Sequence, residues 1–282
     1  MLLNEAELKA WLAEDIETGD ITTKALIDPQ QEVLAFIIAK EDGVCFGIDL
    51  CEEVLDELKA IPQVLYKYKD GQTFKKGQKL LELQVNYSAI LQAERLTLNL
   101  MQRLCGVSTT AKRYQDAVSH TRAKILDTRK TTPGLRRLEK AAVVAGGAHN
   151  HRIGLYDQFL IKENHLSAFR HKENPFAEAI AKAKQVSAEK PIIIEVENLK
   201  EVELCLEAQP NVILLDNMSL EDMTQAVKIT DQKSPNTECE ASGGITWEHL
   251  VPVAETGVHR ISVGALTHSA PNLDLSMLID QI

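Results

Sequence analysis

Between Asp127 and His165 the chain reads DTRKTTPGLRRLEKAAVVAGGAHNHRIGLYDQFLIKENH. This brings Arg129, Lys130, Arg136, Arg137, His149, His151, Arg152, Lys162 and His165 into one short stretch. The protein around it is acidic, with 41 Asp and Glu against 31 Lys and Arg and a formal net charge of −10. A local surplus of cations on an acidic chain suits a small ligand carrying several negative charges. The bland alternative is a solvated helix face with pairs such as Arg136 and Lys140. Against it, Thr132-Pro133-Gly134 and Gly146-Gly147 break the stretch into short elements. Cations at the ends of separate elements can converge on one point, whereas cations on one helix face cannot.

Further along stand two carboxylates, Glu195 and Asp216. Near a phosphate-bearing ligand such a pair can bridge to it through Mg²⁺, which takes one or two carboxylates and leaves the rest of its shell to phosphate and water. The alternative is that each pairs with a nearby lysine. Glu197 is a competitor, on the same strand face and one step beyond Glu195. Ser242-Gly243-Gly244 and Val263-Gly264-Ala265 both lead into helical stretches. Glycine lets backbone come close to a ligand, and helix N-termini offer free N–H groups, so these are phosphate-binding candidates. His149 and His151 lack the i, i+4 spacing and the third ligand of a zinc site and read as protonatable anion contacts.

These groups need a scaffold that gathers strand ends. From Ala123 onward short apolar strands alternate with helical stretches: AKILD, QFLIK, PIIIEVE, NVILLD, TECEAS and RISVG. Near-continuous apolar strands of this kind mean a parallel sheet with helices over it. Each run ends on a chemically useful residue: Asp127 followed by Arg129, then Lys162, Glu195, Asp216, Ser242 and Gly264. In a β/α barrel the active site lies at the C-terminal strand ends, with phosphate sites in the late loops. Six units predict an incomplete barrel of six to seven strands, with a doubly wound open sheet as the alternative. No G-x-G-x-x-G fingerprint or P-loop is present.

Upstream the grammar differs. Residues from about Glu5 to Glu14 predict a short amphipathic helix, and Ile21-Thr22-Thr23 an extended segment after a Thr18-Gly19-Asp20 turn. From Glu32 to Leu83 the signals are mainly β, with a helix over Asp49 to Lys59 and tight turns at Asp70-Gly71 and Lys76-Gly77. Ser88 predicts the cap of a long helix ended by Gly106. On it Ile90, Leu96, Leu100, Met101 and Leu104 face one way, and Gln92, Arg95, Asn99 and Arg103 form a polar stripe, solvated on composition alone. The expected division is an N-terminal α/β sandwich, 1–106, joined by the tail 267–282, and a barrel over 107–266.

Composition narrows the class. A charge of −10 argues against non-specific nucleic-acid or membrane binding. Five scattered cysteines without a C-x-x-C pair indicate a reducing compartment, so a cytoplasmic protein is expected.

With these residues in place, the chain resembles the quinolinate phosphoribosyltransferases, the decarboxylating nicotinate-nucleotide pyrophosphorylases of NAD synthesis. EDIETGDITT, ERLTLNL, DTRKTTPGLR, GGAHNHRIGLYDQFLIKENH, IEVEN, ILLDN, EASGGI and ISVGALTHS carry the resemblance over nearly the whole chain. It implies an N-terminal α/β sandwich with an incomplete α/β barrel, quinolinate and phosphoribosyl pyrophosphate as substrates, and Mg²⁺ as cofactor. It implies a homodimer, or a hexamer containing it, with the active site between one barrel and the partner's N-terminal domain. It assigns quinolinate binding to Arg129, Lys130, His151, Arg152 and Lys162, with Arg95 reaching in from the other protomer. Glu195, Asp216, Ser242, Gly243, Gly244, Gly264 and His268 fall to phosphoribosyl pyrophosphate and its Mg²⁺, the metal resting on Glu195 and Asp216. Lys130, Lys162, Glu195 and Asp216 are the expected catalytic groups. Cys105, Ala148 and Met218 depart from the family pattern without removing a charge. The competing expectations are a related phosphoribosyltransferase for another aromatic acid, including family members linked to molybdenum uptake, and a non-enzymatic phosphometabolite-binding module.

Overall fold

The computed structural model describes residues 3–281. Among them the strands, in chain order, are β1 (Glu32–Ala39), β2 (Gly43–Val44), β3 (Gln63–Lys67), β4 (Thr73–Phe74), β5 (Lys79–Asn86), β6 (Lys124–Leu126), β7 (Phe159–Ile161), β8 (Ile192–Val196), β9 (Val212–Asp216), β10 (Glu238–Ser242), β11 (Arg260–Ser262) and β12 (Leu275–Gln281). The chain forms two compact units. One is Met1–Lys112 with Leu138–Gly147 and Ala270–Ile282; the other is Arg113–Arg137 with Ala148–Ser269.

The first unit holds an antiparallel sheet in the order β12-β1-β5-β3. Strand β1 alternates, burying Val33, Ala35, Ile37 and Ala39, as a strand with one face on a core must. The C-terminal tail supplies the edge strand, with Val33 opposite Gln281 and Ala39 opposite Leu275. Helix α1 (Glu5–Ile16) is capped by Asn4, which accepts the Ala6 N–H, and it buries Leu8 and Leu12. The extended reading after Asp20 is wrong: Ile21–Leu26 is a helix, α2. Asp20 accepts the Thr23 N–H at 3.0 Å and also takes the Thr23 hydroxyl. That cap outweighs the weak helix propensity of Ile-Thr-Thr. The helix expected near Asp49 is α3 (Leu50–Glu57).

The long helix α4 (Tyr87–Ala117) departs from expectation at both ends. Asn86, not Ser88, accepts the free N–H of Ala89, at 3.1 Å. The helix also runs through Gly106 instead of ending there. A Cβ at Gly106 would lie 1.8 Å from the Pro271 carbonyl oxygen, so glycine marks a close approach within this unit. Ile90, Leu100, Met101 and Leu104 are buried, while Arg95 and Asn99 are exposed. Arg103 leaves the polar stripe: its Nη2 lies 2.9 Å from Glu139 Oε1 and its Nη1 donates to the Ala270 carbonyl.

In the second unit all six expected apolar runs are strands. They form one parallel sheet in the order β6-β11-β10-β9-β8-β7. Sequence neighbours from β7 to β11 are spatial neighbours without reversal, which is barrel progression; a doubly wound sheet would reverse at a switch point. β6 and β7 lie at opposite edges and do not pair, so the barrel is incomplete. At the β6 edge, His149 N–H donates to the Ile125 carbonyl and His149 O accepts from Asp127 N–H, a one-residue bridge. Among the described residues no helix is long and apolar enough to cross a membrane.

Candidate active site

Ile193, Val212 and Leu214, with Leu160 packed on them, form an apolar cluster on one face of the parallel sheet. Side chains alternate along a strand, so the residues two further on share that face. They are Glu195 after Ile193, Asp216 after Leu214 and Lys162 after Leu160. The same parity puts Glu240 and Ser242 on one face of β10, and Ser262 and Gly264 on one face of β11 and its extension. A cavity of about 820 Å³ opens there, with Arg129, Lys130, His151, Arg152, Lys162, Asp216, Ser242, Gly243, Gly244, Gly264 and His268 in its wall. Tyr114, Thr128, Glu240 and Trp247 also line it.

The cations are held in different ways. Arg129 has Nε and Nη1 buried with no hydrogen-bond acceptor in the protein. Leaving charged donors in that state costs free energy that an anionic ligand recovers. Burial, and then the field of Arg129, push the Arg152 guanidinium below its ordinary pKa, as expected for two cations sharing a site. The Lys130 carbonyl accepts the Thr267 hydroxyl at 2.8 Å. A Cβ on Gly264 would lie 3.0 Å from His268 Nε2 and 3.1 Å from Lys130 Cδ, so these three residues crowd one corner.

Lys162 Nζ donates to Glu195 Oε2 at 2.7 Å. Glu195 therefore lies behind Lys162 and borders a second cavity of about 450 Å³, shared with Glu197 and Glu201. This is the lysine pairing weighed against a metal role for Glu195. Asp216 is half-buried in the main cavity wall and one of its oxygens accepts the Asn217 amide at 2.9 Å. Asn217 takes φ 52° and a Cβ on Gly243 would lie 2.3 Å from its side-chain oxygen, so only glycine fits beside it. Among the described residues no group of three His, Cys, Asp or Glu could hold a metal by itself. Asp216 could hold a Mg²⁺ whose remaining ligands are phosphate oxygens and water, whereas Glu195 is paired with Lys162.

Several cations of the Asp127–His165 stretch stay outside the wall. Arg136 ties loops together, donating to Thr131 Oγ1 and to the carbonyls of Ile153 and Arg129. Arg137, His149 and His165 are exposed, and His165 Nδ1 accepts the Lys162 N–H at 3.0 Å. Arg95 belongs to the first unit and is exposed on α4.

Models of the quinolinate phosphoribosyl transferase N-terminal and C-terminal domains match residues 20–105 and 107–278. The chain belongs to the quinolinate phosphoribosyl transferase family. It is 40% identical over 269 residues to the nicotinate-nucleotide pyrophosphorylase (carboxylating) of Mycobacterium leprae (strain TN), covering 94% of this chain and 93% of that one. It is also 40% identical over 280 residues to the probable nicotinate-nucleotide pyrophosphorylase (carboxylating) of Bacillus subtilis (strain 168), covering 98% and 94%. Among solved structures, the nicotinate-nucleotide pyrophosphorylase of Francisella tularensis superposes with a TM-score of 0.90 at 39% identity, covering 98% of this chain and 95% of that one. The border between the two quinolinate phosphoribosyl transferase models, at 105/107, falls inside helix α4.

The residue that sequence reading passed over is Glu240. Its signal was available: a glutamate in mid-strand, two positions before Ser242 and so on the same, cavity-facing side. Tyr114 and Trp247 carried no such signal. Their rings meet edge to face at 5.0 Å, and the Arg113 guanidinium lies 3.8 Å from the Trp247 ring centre.

Proposed function

We propose that the cavity transfers the phosphoribosyl group of phosphoribosyl pyrophosphate to quinolinate with decarboxylation, giving nicotinate mononucleotide, pyrophosphate and CO₂, a step of de novo NAD synthesis. Family membership supports the reaction. The observation that carries it to this site is Arg129, whose Nε and Nη1 are buried without an acceptor, beside Arg152 in a cavity that also holds Lys130 and Lys162. Quinolinate is a dianion whose planar carboxylates suit the arginine fork, which bonds both oxygens of one carboxylate. Phosphoribosyl pyrophosphate takes the opposite wall, its phosphate on Ser242, Gly243, Gly244 and Gly264, with His268 and Asp216 beside it. Asp216, with Glu195, would hold a Mg²⁺, which would supply charge neutralisation for the departing pyrophosphate.

The protein's part is placement and charge. Arg129, Arg152 and Lys162 hold the pyridine ring so that its nitrogen faces the anomeric carbon. Lys130 and His268 stabilise charge that shifts toward the leaving pyrophosphate. Once the nitrogen is quaternised, the bond to the 2-carboxylate breaks and CO₂ departs. Its electron pair stays on C2, stabilised by the adjacent positive nitrogen, and takes a proton from solvent to give nicotinate mononucleotide. In this reading Lys162 exchanges Glu195 for substrate, freeing Glu195 toward the metal. Arg95 of a second copy completes the site in a homodimer. The five free buried thiols support work in a reducing compartment, the cytoplasm; cell fractionation tests that assignment.

Thermal melting separates this reading from its competitors, because a ligand that binds the folded state raises Tm. Quinolinate is expected to stabilise the protein and nicotinate, with one carboxylate, far less. Phosphoribosyl pyrophosphate is expected to stabilise it only with Mg²⁺, an effect that Asp216→Asn weakens without weakening that of quinolinate. Equal shifts from quinolinate and nicotinate contradict the dicarboxylate site, and equal losses for both substrates in Asp216→Asn contradict the metal role.

A further inference from the structure

The cavity floor has two halves. Leu160 and Leu214, packed on Ile193 and Val212, make one apolar, as strand interiors usually are. The other half is ionic, and Glu240 lies at its centre with no solvent exposure at all. Burying an ion pair contributes little to stability, and apolar replacements are often neutral or better, so packing does not account for a carboxylate here. Its surroundings do. The parallel register sets Glu240 beside Arg260, whose Nε lies 2.8 Å from Glu240 Oε2. The other oxygen lies 3.2 Å from His151 Nε2.

His151 is held at two further atoms. Its N–H donates to Asp127 Oδ1 at 2.8 Å, and its Nδ1 accepts the Arg152 N–H at 2.7 Å. An Nδ1 that accepts carries no proton, so the proton of the neutral ring sits on Nε2, the nitrogen that lies 3.2 Å from Glu240 Oε1. Burial by itself would push the Glu240 carboxyl up. The hydrogen bond and charge of His151, with the field of Arg260, outweigh it and hold the carboxyl below its ordinary pKa, so the acceptor is ionised. The opposite tautomer would point an Nδ1–H at the Arg152 N–H and withdraw the proton from Glu240. Glu240 thus selects the ring state that anchors the backbone of Arg152.

We propose that Glu240 is a positioning residue for the anion clamp: through His151 it fixes the backbone that aims Arg152 into the cavity beside Arg129. The inference rests on the reading of this cavity as the quinolinate site. His151 keeps both ring nitrogens within the protein, and Arg152 meets the ligand. Two variants separate reach from charge. E240D keeps the charge opposite Arg260 but withdraws it from His151 by one methylene; E240Q keeps the length and removes the charge.

Each is expected to raise the quinolinate KM about tenfold, the size of one impaired charge-assisted contact, while the KM for phosphoribosyl pyrophosphate stays within about twofold. A purely structural defect would shift both. In an Arg152→Ala background E240D is expected to add less than about twofold, because the contact it aims is gone. A quinolinate KM within about twofold of wild type in either folded variant overturns the inference, and so does a penalty of equal size in the Arg152→Ala background. If neither variant folds, the ¹⁵N imidazole spectrum of wild-type His151 decides: an Nε2–H tautomer supports the inference and an Nδ1–H tautomer overturns it. Wild-type enzyme that releases no CO₂ from quinolinate overturns the reading beneath it, whereas active wild type with an unmoved KM in the variants overturns the role of Glu240 alone.

Discussion

Replacing Arg129 by alanine is expected to lower kcat/KM for quinolinate by at least about tenfold to hundredfold. One hydrogen bond to a charged group contributes about 1.5–3 kcal/mol, and each 1.36 kcal/mol is about a factor of ten. Arg129 should lie at the upper end of that range, because its Nε and Nη1 are buried and have no acceptor in the protein. Its donors are already stripped of water, so the substrate carboxylate meets them without a further desolvation cost. Arg129→Lys keeps the charge but loses the fork, and an intermediate loss is expected from it. Steady-state kinetics with quinolinate varied decides the matter. Near-wild-type kcat/KM in Arg129→Ala contradicts the dicarboxylate clamp.

The second large effect is one of complementation. Arg95 is exposed on α4 in the first unit, and Lys162 lines the cavity of the second. If each site of a two-fold dimer draws Arg95 from the partner, Arg95→Ala and Lys162→Ala homodimers should both be nearly inactive. Dissociated together and reassociated at random, they form mixed dimers in about half the population. In a mixed dimer one site collects both defects. The other combines the intact barrel of the Arg95→Ala chain with the intact Arg95 of the Lys162→Ala chain. Recovered activity should approach about a quarter of wild type by that two-fold pairing. No recovery, with subunit exchange shown by native mass spectrometry, places Arg95 outside the partner's site.

The second unit was legible because its central strands β8 and β9 are largely buried on both faces and so read as unbroken apolar runs, as in the five buried residues of β8. Each run announced its own C-terminal end, and with it Lys162, Glu195, Asp216 and Ser242. Local competition was harder to read. Ile21-Thr22-Thr23 carries a β signature, yet one aspartate oxygen on the Thr23 N–H turns it into a helix. Gly106 reads as a helix stop and is instead a place where backbone passes close to backbone, which depends on Pro271, far away in sequence. The pairing of Lys162 with Glu195 follows from the β7–β8 register, in which Ile161 sits beside Ile194. Glu240 escaped notice because a mid-strand glutamate acquires meaning only when His151 and Arg260 are seen around it. Composition had only the net excess of acid to offer, and that excess conceals how Arg129, Arg152 and Lys162 converge.

The central claim is a decarboxylating phosphoribosyl transfer at one cavity. Quinolinate labelled with ¹⁴C in its 2-carboxylate tests it most directly, incubated with the protein, phosphoribosyl pyrophosphate and Mg²⁺ while labelled CO₂ is trapped. Labelled CO₂ should appear in equal amounts with nicotinate mononucleotide and pyrophosphate, and only when both substrates are present. Release of no label, or formation of a mononucleotide that still carries the 2-carboxylate as the final product, would contradict it.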